Sequence, residues 1–173
     1  IEEALPYSLR QRCLVHKKRN VMAKVPEDEK AAVAAFLGAV YHAPTVEVAR
    51  SLATQFAERY EGRFPSAVRS FLDDLEACLA HLRCPEVHRR SIRTTNVIER
   101  AFEELRRRTK IIPRFFDEKS CLKLAYAELV RAGQRSRRVR MSEIEIRHLQ
   151  LLRKELAAER ATDSMPRRQT KSA

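Results

Sequence analysis

The 173-residue chain carries 35 Lys and Arg against 23 Asp and Glu, a formal net charge of +12, which favours a polyanionic partner over an acidic small substrate. Nucleic acid leads. The rival is an anionic membrane surface, but no run approaches the roughly 18 apolar residues that a bilayer crossing needs and no signal peptide is visible, so the expectation is a soluble, cytosolic protein without a membrane partner.

Only three glycines, with abundant Ala, Leu, Glu and Arg, predict a mainly α fold, and the length allows one domain or a piece of a larger one. Cys13, Cys78, Cys84 and Cys121 are widely spread, a pattern of reduced thiols rather than a disulfide framework.

In chain order, Ile1 to Pro6 reads as the end of a helix already under way, in a chain with no initiator Met, and predicts a truncated protein. Leu9 to Val15 alternates apolar and basic residues and predicts the one short strand. His16 to Lys24 turns helical. Pro26 and the acids Glu27, Asp28 and Glu29 open a helix that runs to about His42, because Pro suits the first turn and acids suit the positive end of the helix dipole.

Pro44-Thr45 opens the next, with Val46, Ala49, Leu52, Ala53 and Phe56 as its buried stripe and Gly62 as a C-cap. Pro65-Ser66 starts another, expected to continue to Cys84-Pro85. Thr94-Thr95-Asn96 is N-cap material for a helix from about Asn96 to Thr109, with Ile98, Ala101, Phe102 and Leu105 on one face. Glu118 to Arg131 resumes helical spacing up to Gly133, Met141 to Arg160 forms a last amphipathic helix, and Ala161 to Ala173 has the composition of a disordered tail.

Two short motifs carry chemistry. Cys13 and His16 form a Cys-x-x-His pair; together with Cys84 and His88 they offer two Cys and two His, the ligand types of a structural zinc site, though the wide spacing is unlike a compact finger. A buried Cys with a hydrogen-bonded His is the other reading. Glu99 sits in the first turn of its helix, where the dipole alone accounts for a carboxylate. Glu103 with Arg107 and Glu104 with Arg108 stand at i, i+4 and support the helix. Basic clusters at Arg10–Lys24 and Arg135–Arg140 suit phosphates or simply solvent.

The order of a strand-borne Cys-x-x-His, a helical insert and then Arg93-Thr94-Thr95-Asn96-Val97-Ile98-Glu99 resembles the Mutator-type bacterial insertion-sequence transposases. The likeness runs from about Leu9 to Val130 and is carried also by Gln11-Arg12-Cys13, Arg19-Asn20-Val21, Tyr41 to Thr45, Ala57-Glu58, Tyr60, Phe64-Pro65, His88 and Arg106 to Lys110. It implies the carboxy-terminal portion of a DDE enzyme. Residues 1–24 would end the catalytic-core strand and helix, 25–92 form an all-helical insertion domain, 93–132 carry the Glu helix and the final helix of a ribonuclease-H-like core, and 133–173 form a basic linker, helix and tail.

The resemblance makes Glu99 the third catalytic acid and a ligand of a two-ion Mg²⁺ site, with Cys13 and His16 bracing the flanking elements. It gives DNA contacts to Arg12, Lys17, Lys18, Arg19, Arg93, Asn96, Arg106, Arg107, Arg108 and Lys110, and a homo-oligomer to the complete enzyme.

Two departures matter. The aspartates Asp28, Asp73, Asp74, Asp117 and Asp163 all follow the Cys-x-x-His pair, whereas the family's catalytic aspartates precede it, so this chain is expected to be inactive alone. His88 is followed by Arg89, where many relatives carry an aromatic residue. The alternatives are a non-catalytic basic helical DNA-binding protein from a decayed element, and a zinc-stabilised helical interaction module.

Overall fold

A computed structural model of the chain describes residues 8–135 and 140–163. The expected amino-terminal helix end, most of the 135–140 basic run and most of the tail therefore lie outside the described residues. Nine α-helices and two 3₁₀ turns account for the regular structure among those residues, so the mainly α expectation holds. They divide into two compact units, residues 1–93 with 141–173, and Thr94–Arg140.

The first unit contains α1 (Leu14–Met22), α2 (Lys30–Tyr41), α3 (Val46–Tyr60), α4 (Pro65–Leu72), α5 (Leu75–Leu79) and α6 (Glu86–Ile92), closed by the last helix of the chain. Local signals set several of its bounds. The acidic run Glu27–Glu29 makes a 3₁₀ turn leading into α2, the Thr45 hydroxyl accepts the Val48 N–H at 3.3 Å to cap α3, and Pro65 occupies the first turn of α4. The core joins Val33, Leu37 and Val40 of α2 to Ala49, Ala53, Phe56 and Tyr60 of α3, with Val68 and Phe71 of α4 and Val21 of α1. Phe56 is its hub, with ring centroids 4.6 Å from Phe71, 4.9 Å from Tyr60 and 5.5 Å from Phe36.

The expected strand is absent: residues 8–13 are irregular and α1 begins at Leu14. A strand persists only where neighbours take its backbone groups along a ladder. Here the Arg12 N–H goes to the Ala77 carbonyl (2.8 Å), the Leu14 N–H goes to the Arg93 carbonyl (2.9 Å), and the Cys13 carbonyl already accepts the Lys17 N–H in helical register (3.0 Å).

The helix expected from Pro65 to Cys84 is broken into α4, α5 and the 3₁₀ turn Ala80–Arg83. At the break Asp73 is extended (ψ 126°) and Asp74 is left-handed (φ 57°), the one positive-φ non-glycine residue among those described. Charge from the amino-terminal segment holds the corner. The buried Lys17 ammonium donates to the Asp73 carbonyl, and Arg12 and Arg10 lie 3.3 and 3.8 Å from the Asp74 carboxylate. Periodicity along one helix cannot reveal a break set by partners more than fifty residues away. Helix α6 was likewise not expected as a separate element. Gly62 does not cap α3 in a left-handed conformation; the Phe64 N–H returns to the Tyr60 carbonyl at 2.7 Å instead.

The second unit is a helical pair, α7 (Asn96–Thr109) and α8 (Glu118–Arg135), the latter running through Gly133 rather than ending there. Asp117 and Ser120 exchange backbone and side-chain bonds at the start of α8 (2.6 and 3.2 Å). Arg108 links the pair, its Nε 2.8 Å from Glu104 and 2.9 Å from Glu128. No described residue of this unit is buried: Ile98 and Phe102 of α7 are 56% and 53% exposed, and Leu122 and Tyr126 of α8 are 60% and 72% exposed.

The last helix, α9 (Glu143–Asp163), belongs to the first unit. Ser142 and Glu145 form a capping box at its start, Leu152 and Leu156 are buried, and Arg83 lies 2.7 Å from Glu159 and 3.5 Å from Glu155.

Candidate functional site

Glu99 stands one turn into α7, where its N–H bonds the Thr95 carbonyl at 2.8 Å. Its exposed carboxylate accepts the Thr95 hydroxyl at 2.5 Å. Thr95 precedes the first helical residue but makes no side-chain cap bond, contrary to its expected N-cap role; its hydroxyl is turned to the acid instead. Asn96 is exposed beside it in the first turn.

Cys13 and His16 meet in the first unit, with Sγ and Nδ1 3.2 Å apart at the start of α1. Cys84 lies near the head of α6 and burial pushes its thiol up. No three His, Cys, Asp or Glu side chains gather as a cation site among the described residues. The four-ligand zinc reading therefore finds no assembled site, and Glu99 does not make a two-ion magnesium site with the described residues alone. Gln11 adds a bracket that had no role from sequence: its side chain donates to the Cys78 carbonyl (3.2 Å) and accepts the His81 N–H (2.6 Å).

The expected DNA-facing residues fall into different environments. Lys17 is 2% exposed and committed to Asp73, so it is not presented to a phosphate. A helical stretch that looks uniformly basic still has an inward face, and Lys17 lies on it with Leu14 and Val21. Arg12 is paired with Asp74, while Lys18 is half-buried and Arg19 exposed.

In the second unit, Arg107 bonds Glu104 through two nitrogens at 2.8 and 2.9 Å, and Arg108 shares the same carboxylate. The expected Glu103–Arg107 pair gives way to this one. Arg107 and then Arg108 hold the Glu104 carboxyl down at about 2. Arg106 and Lys110 are exposed and make no ion pair among the described residues.

Arg93 is half-buried at the end of α6. Arg89, one turn earlier, is the residue that departs from the resemblance after His88: its guanidinium donates to the carbonyls of Leu82 (2.9 Å), Cys84 (3.1 Å) and Pro44 (3.3 Å). Nothing in the local sequence signals this, because its acceptors are backbone atoms.

No helix among the described residues is long and apolar enough to cross a membrane. The model of the Mutator transposase family matches residues 1–136. The chain is 31% identical over 139 residues to the transposase for insertion sequence element IS6120 of Mycolicibacterium smegmatis, covering 80% of this chain and 43% of that one. It is 32% identical over 135 residues to the transposase for IST2 of Acidithiobacillus ferrooxidans, covering 78% and 46%. A third relative, the transposase for ISRM3 of Rhizobium meliloti, is 30% identical over 139 residues, covering 80% and 35%. The chain thus spans less than half the length of these relatives, and on the extent of the family match it belongs to the Mutator family of transposases.

Proposed function

We propose that this chain is the Glu99-bearing part of a DDE transposase that cleaves and joins DNA at the ends of an insertion sequence. The observation that carries this reading is Glu99 itself: an exposed carboxylate, oriented by Thr95, directly behind the Arg-Thr-Thr-Asn sequence. The exposed apolar face of α7 supports it, since a helix with Ile98 and Phe102 in solvent suits a helix built to lie on a larger core. In this reading that core is ribonuclease-H-like and its two aspartates come from another segment of the enzyme.

Glu99 would be one ligand of a two-ion magnesium site, whose ions bind the attacking and leaving oxygens of a phosphodiester. One carboxylate does not build such a site, so the chain alone is inactive. Its partners are transposon-end and target DNA, handled by a multimer in the bacterial cytosol.

The test joins the chain to the aspartate-bearing segment and measures Mg²⁺-dependent strand cleavage. Glu99→Gln should abolish cleavage, by at least about 100-fold, while leaving DNA binding intact. Unchanged cleavage in that variant overturns the assignment. Salt-dependent DNA binding with no cleavage in any form returns the reading to a non-catalytic DNA-binding protein.

A further inference from the structure

Beside the junction of α2, the Ala80–Arg83 turn and α6, the first unit has a groove lined by Tyr41, His42, Glu86, Arg89, Arg90 and Arg93 among others. Three guanidinium groups face one carboxylate there, and none of the three makes an ion pair among the described residues. Arg89 is fixed by three backbone carbonyls, which satisfy its donors while leaving its charge uncompensated. Arg93 stands one turn along the same face, and its carbonyl accepts the Leu14 N–H at 2.9 Å, so the rim is pinned to the start of α1. Arg90 is exposed at the mouth. His42 bonds the Gly38 carbonyl through Nδ1 at 2.8 Å, which fixes the ring and leaves Nε2 as its second polar atom.

The end of a helix attracts cations through its dipole, and that accounts for basic residues in the last turn of α6. It does not account for Arg89 reaching to carbonyls of the preceding turn and of the α2–α3 joint. The buried His81 in the same lining senses the local field. Its two ring nitrogens lie 3.0 Å from the Cys78 and Tyr41 carbonyls, which favours the charged ring, yet burial first, and then the fields of Arg89 and Arg93, hold it below its ordinary value.

We infer that this groove is a phosphate-binding site on the helical insert, through which Arg90 and Arg93, backed by Arg89, grip the backbone of duplex DNA. The inference deepens the proposed function and rests on it. It adds Arg89, Arg90 and His42 to the DNA-facing residues, with a role in holding DNA rather than in the chemistry proposed for Glu99. A planar guanidinium matches two phosphate oxygens at once, whereas Lys would offer a point charge. Arg89, its nitrogens held by carbonyls, contributes fixed positive charge behind the site, and the more exposed Arg90 supplies a guanidinium for the phosphate itself.

The experiment is equilibrium binding of the 173-residue chain to mixed-sequence duplex DNA over a range of salt. Each lost phosphate contact lowers the slope of log affinity against log salt by about one. Arg90→Gln with Arg93→Gln should lower it by about two, while Arg59→Gln and Arg69→Gln on α3 and α4 should change it by at most a few tenths. Thermal melts show whether each variant is folded, and if the double variant is not, Arg90→Gln alone should lower the slope by about one.

Equal slopes in the groove and control variants overturn the site without touching the Glu99 assignment, which is read by cleavage. Absence of DNA binding by the parent chain overturns it as well. Binding to phosphatidylglycerol vesicles that the groove substitutions weaken, with the DNA slope unchanged, reassigns the groove to a membrane surface.

Discussion

The two units of this chain use the same kind of helix to different ends. In the first, α1 to α4 enclose Phe56 and Phe71 completely; in the second, α7 and α8 leave Ile98, Phe102, Leu122 and Tyr126 mostly in solvent. Both have apolar residues at helical spacing. Amphipathicity therefore tells that a helix has a face to cover and not what covers it. A helical pair with no buried residue among those described has little to set against the entropy of ordering its backbone, roughly 1–2 kcal/mol per residue. Charge links the two helices of the second unit instead, through the half-buried set Glu104–Arg108–Glu128.

That contrast can be broken most directly by matched truncations. Phe56→Ala should cost about 3–5 kcal/mol in urea unfolding, since it empties the centre of a packed aromatic cluster, while Phe102→Ala should cost less than about 0.5 kcal/mol in this chain. A cost for Phe102→Ala equal to that of Phe56→Ala would mean the α7 face is covered. Amide exchange should follow the same division, with α7 and α8 exchanging well before α2 and α3.

Next in size is the pH dependence of the first unit. Burial raises the Cys78 thiol from 9.0 to about 11 and raises the Tyr41 hydroxyl further, so both favour the protonated folded state. Their contribution is complete below the unfolded value and is lost as pH rises through the folded one, and stability should fall between about pH 9 and pH 11, for Cys78 by up to about 2–3 kcal/mol. His81 is depressed, so its contribution is present above its ordinary 6.5 and is lost as pH falls below it. Thermal midpoints against pH should decline on both flanks. Cys78→Ala should flatten the alkaline one, and an unchanged alkaline slope would contradict the role given to Cys78.

Lys17→Met keeps the aliphatic stem of Lys17 and removes the donor to the Asp73 carbonyl. A loss of roughly 1–3 kcal/mol is expected, with no change in the salt slope of DNA binding. A lowered slope would return Lys17 to the phosphate-facing residues.

The smallest effect should come from Glu104→Gln, which removes the pairs with Arg107 and Arg108; the urea midpoint should shift only slightly, and the shift should be erased by salt. A larger shift would show that charge organises the second unit more strongly than exposed pairs normally do.

The sequence by itself determined where most helices begin and which family the chain resembles. Thr45 and Pro65 act on their own neighbours, and α7 occupies Asn96–Thr109 as the spacing predicts, although Thr95 gives it no side-chain cap. Glu99 at the head of that helix was legible for the same reason. Contacts between distant segments were left to tertiary structure.

The break at Asp73-Asp74 depends on Lys17, Arg12 and Arg10, and the residues expected to form a strand are tethered to α5 and α6 instead of to a ladder. Lys17 moved from the surface to the interior because its helix buries that face, and Arg89 found a role because three carbonyls happen to converge on it. Capping and periodicity are short-range and written in adjacent residues, whereas burial, ion pairing and carbonyl capture belong to neighbours that only folding brings together.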